Sequence, residues 1–118
     1  MFTDAEGESR FDSCEIAMEM HDHAPPAAPI FTAKAEPAAE YMFFRLPPNW
    51  YGEPHPTPFD CLVVCLSGSF KFIGSAGDEL IMKPGDRVLD LNTSGKGHAT
   101  QVVSDGPAEG LIVRFPAR

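Results

Sequence analysis

Residues Cys61–Val103 read CLVVCLSGSFKFIGSAGDELIMKPGDRVLDLNTSGKGHATQVV, and the rhythm of apolar runs and glycine turns in this stretch decides the fold class. Cys61–Leu66 is a continuous apolar run of strand length, which suits a strand buried on both faces, and Ser67-Gly68 ends it. Phe70–Ile73 and Leu80–Met82 flank Gly74–Asp78, which predicts a hairpin loop. Pro84-Gly85-Asp86 is a turn, and Arg87–Leu91 is extended again. Gly95-Lys-Gly97 turns the chain into His98–Val103. Beyond the stretch, Asp105-Gly106 precedes a further strand at Leu111–Phe115, and Tyr41–Leu46 forms one bounded by Pro47-Pro48. Short strands about ten residues apart, joined by Gly-rich turns, mean an all-β sandwich or barrel.

Composition agrees. Twelve prolines and ten glycines in 118 residues leave Glu8–Ala24 as the one long window free of both. Long helices are therefore excluded, and so are parallel βαβ folds, whose crossovers need a dozen or more residues. Nine prolines fall between Pro25 and Pro58, where irregular extended backbone with short strands is expected; eight glycines fall from Gly68 onward, where tight antiparallel turns are expected. In the proline-free window Cys14, Ile16, Met18 and Met20 alternate with Glu15, Ala17 and Glu19, which predicts an outer or edge strand. A helix using Phe11, Cys14 and Met18 is the alternative reading.

Charge is unevenly placed. Residues 1–40 carry nine acids and two bases, net −7; residues 41–118 carry eight and seven, net −1. The absence of a basic stripe argues against nucleic acid or an anionic membrane as partner. No run approaches the ~20 apolar residues of a membrane helix. The start MFTDAEGESRFD lacks the basic and apolar regions of a secretory signal. Cys61 and Cys65, four apart on an extended strand, stand about 13 Å apart, too far to bridge. Three reduced thiols and no export signal give a cytoplasmic expectation.

Leu66-Ser-Gly68, Gly77-Asp-Glu79, Lys83-Pro-Gly-Asp86 and Asn92-Thr-Ser-Gly-Lys-Gly-His98 together resemble the core of a small single-domain cupin of the conserved-barrel type. The family motifs read G-x5-H-x-H-x3,4-E-x6-G and G-x5-P-x-G-x2-H-x3-N. The resemblance implies a β-barrel of two antiparallel sheets, wound as a double-stranded β-helix or jelly roll. It makes 1–118 a single domain, with 1–40 as an acidic, Pro-rich arm of outer strands and 41–118 as the barrel. It also implies a homodimer, to which the strand-like arm can contribute by adding to a neighbour's sheet edge.

Carried over residue by residue, the motifs are degenerate. His55 stands at the first family histidine, Thr57 at the second, Cys61 at the glutamate and Gly68 at the closing glycine. In the second motif Gly85 and Gly95 match and His98 stands at the third histidine, while Thr93 replaces the proline and Val102 the asparagine. Two of four ligand positions survive. One reading makes His55, His98 and Cys61 a three-ligand site for one divalent transition metal (Zn, Fe or Ni), in a dioxygenase- or isomerase-type enzyme. The other makes the histidines hydrogen-bonding groups of a pocket for a small organic molecule, with Trp50, Tyr51, Thr57, Phe59, Val63 and Thr100 as its lining and no metal. A third leaves Cys61 a buried hydrophobe and His98 a hydrogen-bonded interior side chain.

Other constellations are weaker. His21-Asp-His23 imitates a metal pair but sits in the acidic front before Ala-Pro-Pro, where a solvated loop is expected. Asp86 is expected to bond nearby turn amides. No serine lies in G-x-S-x-G, and Gly95-Lys-Gly97 lacks the glycine spacing and following helix of a phosphate loop. Phe43, Phe44, Phe70, Phe72 and Phe115 are expected in the core or at a dimer interface.

Overall fold

The computed structural model describes residues Met1–Arg118 and contains twelve strands and no helix. Two two-stranded ribbons occupy the arm. The first pairs β1 (Phe2–Thr3) with β2 (Ser9–Arg10), and the second pairs β3 (Glu19–His21) with β4 (Ile30–Thr32). The body holds β5 (Glu40–Leu46), β6 (Tyr51–His55), β7 (Cys61–Ser67), β8 (Phe70–Ile73), β9 (Glu79–Met82), β10 (Arg87–Asp90), β11 (His98–Val102) and β12 (Ala108–Arg114). These form two four-stranded antiparallel sheets, one ordered β10-β7-β12-β5 and the other β6-β11-β8-β9. From β5 onward the chain passes repeatedly from one sheet to the other, with the β8–β9 hairpin the one pair of successive strands kept together. This is the all-β class expected from the spacing of turns, in the two-sheet arrangement that the resemblance implies.

Register places the core between the sheets. In the first sheet Val63 lies opposite both Val88 and Ile112, so Cys61, Val63 and Cys65 of β7 point inward. In the second, Phe70 pairs with Val102 and Phe72 with Thr100, and β8 alternates buried and half-buried positions. The inward side chains Cys61, Val63, Cys65, Phe70, Phe72, Met82, Val88 and Val102 pack as one cluster. Aromatic edge-to-face contacts bind it, Phe70 lying 5.5 Å from Phe72 and 6.0 Å from Phe44 between ring centroids.

Several strand expectations need correction. Cys14–Met18 is unpaired, and only Glu19–His21 enters a ribbon; the alternation is real, but the chain offers that segment no neighbouring strand. Tyr51–His55 is a strand although Gly52 and Pro54 read as irregular backbone. As an edge strand, β6 leaves one row of amides free of ladder bonds, and Pro54 is tolerated there. Cys61–Ser67 is not buried on both faces: Leu62 and Val64 are half-buried and Leu66 is exposed. Of the five phenylalanines expected inside or at an interface, Phe43 points outward and is 71% exposed, while Phe70 and Phe72 are core.

Candidate functional site

Strands β6 and β11 bring the two surviving family positions together. His55 and His98 are register partners, their rings 5.4 Å apart between centroids and tilted by 42°. A register irregularity between His98 and Thr100 adjusts β11 against β6 beside the pair, a common device where a side chain must be re-aimed. Gly97, at φ 77°, makes the approach: a Cβ there would collide with the backbone carbonyl of His55. His98 is buried with its ring edge-on to Phe72, at 5.4 Å between centroids, whereas His55 is exposed.

A buried polar network sets the state of His98. Its Nδ1 lies 2.8 Å from Asn92 Oδ1. The orientation of the Asn92 amide follows from its other end. The Thr3 hydroxyl donates to Ser94 O at 3.1 Å, so it can only accept from Asn92 Nδ2, at 2.8 Å. Oδ1 therefore faces His98, Nδ1 carries the proton, and the neutral ring keeps its lone pair on Nε2. The Ser9 hydroxyl lies 2.9 Å from Asn92 Oδ1 and 2.6 Å from Gly97 O, two acceptors that share its single proton. His55 has the same polarity, since its Nδ1 lies 2.7 Å from Glu53 O, a group that can only accept. Burial, as the largest cause, holds the His98 pKa below the ordinary histidine value; nearby Asp90 opposes this and His55 adds to it. No buried side-chain nitrogen or oxygen lacks a partner, and His98 Nε2 has none in the protein, so Nε2 opens onto solvent-accessible space.

The remaining candidates add no third metal-ligating side chain to the pair. Thr57 is buried, and its hydroxyl donates to Asp90 Oδ2 at 2.6 Å. Cys61 sits in the opposite sheet, paired in register with Asp90, and its thiol is pushed up to about 12 by burial, then by Asp90 and Asp60. Such a thiol stays protonated at neutral pH in the metal-free protein. Val63 is core and Thr100 pairs with Phe72 inside the barrel. Trp50 packs against the core with its ring over Gly52. Tyr51 pairs with Gln101 and is half exposed. Phe59 lies under the Arg114 guanidinium, 4.7 Å from ring centroid to carbon. His21 ends β3 and His23 follows it, both exposed. No group of three or more His, Cys, Asp or Glu side chains is placed to hold a metal ion. Two imidazoles with no third His, Cys, Asp or Glu beside them, and a threonine in a histidine position, are a poor fit to the metal that the family motifs imply.

Sequence reasoning missed Asp90, Asn92 and Ser9. Asp90 is buried, accepting from Thr57 and, at 3.0 Å, from the Asn92 amide. The Asp-Leu-Asn spacing at 90–92 carried a signal, because two polar side chains after a buried strand usually bond locally. Ser9, 83 residues from Asn92, carried none.

No protein-family model and no curated protein matches the chain in sequence. Solved structures do match. A cupin-superfamily sugar phosphate isomerase from Silicibacter pomeroyi aligns with 65% of this chain at 24% identity and a TM-score of 0.53. A Cupin 2 conserved barrel domain protein from Salinispora arenicola aligns with 86% of this chain and 76% of its own, at 13% identity and a TM-score of 0.55. The chain has the cupin fold. A cupin domain from Bordetella pertussis is matched over its whole length by 72% of this chain, at 17% identity and a TM-score of 0.50. The alignment spans half the length of the Silicibacter protein. These likenesses show the cupin barrel itself; chemistry has to be argued from the site. No helix is long and apolar enough to cross a membrane.

Proposed function

We propose that this cupin binds a small organic molecule through His55 and His98, and that the molecule presents hydroxyl or amine hydrogens to their Nε2 atoms. The observation that carries the reading is the paired tautomer: both rings spend Nδ1–H on a carbonyl oxygen and leave Nε2 as an acceptor. A neutral, hydroxyl-rich ligand fits better than a phosphate ester, because the cations outside ion pairs, Lys34, Lys83 and Arg87, lie on the arm and on or beside β10 rather than beside the histidines. That the Silicibacter neighbour is named for a sugar phosphate is consistent with the polyol half of such a ligand. The three free cysteines accord with a cytoplasmic protein.

The same two Nε2 atoms are what a metal-dependent enzyme would use, so one experiment separates the readings. Protein purified without chelator is analysed for Zn, Fe, Ni, Mn and Cu, then screened for binding of neutral polyols, sugar phosphates and carboxylates by Trp50 fluorescence and histidine NMR. Polyol binding that is lost in His55→Ala, without stoichiometric metal, is the expected result. Near-stoichiometric metal that disappears in His55→Ala and His98→Ala replaces the proposal with the metal-dependent reading.

A further inference from the structure

Between β11 and β12 the chain bends through Ser104-Asp105-Gly106, outside any ladder, and this is the one Asp-Gly pair in the sequence. Both ends of the bend are fixed. The Val103 and Ser104 amides donate to Ser69 O at 3.0 and 3.3 Å, and the Ser69 amide donates to Ser104 Oγ at 3.0 Å. On the other side Ala108 is fully buried at the start of β12. Gly68 lies so close to the bend that a Cβ there would stand 2.3 Å from Pro107 O. The tip is different. Asp105 is exposed, and its carboxylate makes no ion pair and no hydrogen bond within the protein. The Gly106 amide donates to no protein group, and nothing lies within 4 Å of where a Gly106 Cβ would be. One contact reaches the tip, Ser104 Oγ donating to Gly106 O at 3.1 Å, and Ser69 O at 3.3 Å competes for the same proton.

An uncommitted carboxyl group next to an unbonded amide can close a ring. The Gly106 nitrogen attacks Asp105 Cγ and forms an N–Cγ bond; a carboxyl hydroxyl departs with the amide proton as water, leaving a five-membered succinimide. Water then adds back. Addition at Cγ restores aspartate. Addition at the Asp105 main-chain carbonyl breaks its bond to nitrogen and leaves isoaspartate, whose backbone runs through Cβ and Cγ. One water is lost and one regained, and no other reagent is consumed. Glycine matters here because a Cβ would crowd the attacking nitrogen and narrow the backbone angles that ring closure needs. The other seven aspartates are worse placed. Asp4 and Asp60 are held by Arg10 and Arg118, Asp86 accepts from the Lys83 amide, and Asp78 lies 3.8 Å from Arg10. Asp90 is buried, and Asp22 is followed by His23, whose amide donates to His21 O. Asp12 is the nearest rival, 2.8 Å from the Ser13 amide, but the serine side chain stands in the way.

We propose that Asp105-Gly106 is a site of spontaneous isoaspartate formation, and that the resulting carboxylate is open to a carboxyl methyltransferase drawing on S-adenosylmethionine. The added main-chain carbon has to fit between ends that Ser69 and Ala108 fix, so the tip bulges into solvent, where an enzyme can reach it. The bend lies at the opposite end of β11 from His98, and the proposal does not rest on the reading of the histidine pair. Full-length protein is aged for several weeks at neutral pH and physiological temperature. Isoaspartate is counted by enzymatic transfer of a labelled methyl group from S-adenosylmethionine and located by peptide mapping. It should accumulate at residue 105 before any other position. Its rate should lie within about threefold of that of the same chain unfolded in guanidinium chloride, because an open turn costs almost nothing to expose. Asp105→Asn should speed the conversion and release ammonia in place of water, and Gly106→Ala should slow it about tenfold. Asp105→Glu, which would need a six-membered ring, should abolish it. All three changes lie at an exposed tip and should leave the circular dichroism of the folded protein unchanged. No isoaspartate at residue 105, earlier conversion at Asp12, or a folded protein lagging far behind the unfolded chain overturns the proposal.

Discussion

Replacing Asn92 with alanine should be the most damaging conservative change at the site, and the network gives its size. The side chain is fully buried and ties three parts of the molecule together: Thr3 of the first ribbon, Ser9 of the same ribbon's second strand, and His98 of β11. Thr3 and Ser9 keep a second partner each, at Ser94 O and Gly97 O, so their loss is that of ordinary hydrogen bonds, roughly 1 kcal/mol apiece. His98 Nδ1–H keeps none and is stranded in the interior, which costs about 1–3 kcal/mol more. Asn92→Ala should therefore lose about 3–5 kcal/mol, a large share of the 5–15 kcal/mol typical of a domain. With a urea m-value of about 2 kcal/mol per M, the unfolding midpoint should fall by about 2 M. Nitrogen-15 spectra of the histidine ring should also show the proton no longer confined to Nδ1. A loss below about 1 kcal/mol with an unchanged His98 spectrum would refute the reasoning, because the tautomer would then be set by something other than Asn92.

Three further outcomes follow from the same geometry. Because burial lowers the His98 pKa in the folded state, the unfolded chain takes up a proton more readily below about pH 6.5. Stability should then be flat above about pH 7 and fall as pH drops toward the folded value, by at most about 1.4 kcal/mol per pH unit from this group; urea midpoints across the range should show it, and His98→Gln should flatten the slope. Gly97→Ala should prevent the close approach of β6 and β11 and destabilise severely, whereas Gly77→Ala, also at positive φ but with open space around it, should cost only about 1–2 kcal/mol; equal losses in thermal melts would contradict the steric account. Thr57→Val keeps the side-chain shape but removes the donor to Asp90 Oδ2, so it should cost about 1–3 kcal/mol, and a melt unchanged from wild type would show that the carboxylate finds another partner.

The sequence alone determined the β class and most of the strands of the body, because turn glycines and alternating apolar residues act within a few positions of one another. Phe70–Ile73 and Cys61–Leu66 were legible for that reason. Local signals failed where the partner of a segment decides its state. Cys14–Met18 has a strand's alternation but no strand beside it, and Tyr51–His55 has strand-breaking residues but an edge position that tolerates them. The site shows the same division. That two histidines survive is a fact of sequence; that they meet across β6 and β11 with Nε2 free is a fact of tertiary structure. The His98 tautomer depends on Asn92, whose amide is held by Thr3, and Thr3 lies more than eighty residues away along the chain. A tautomer is set by whichever acceptor reaches the ring, and folding alone brings that acceptor there.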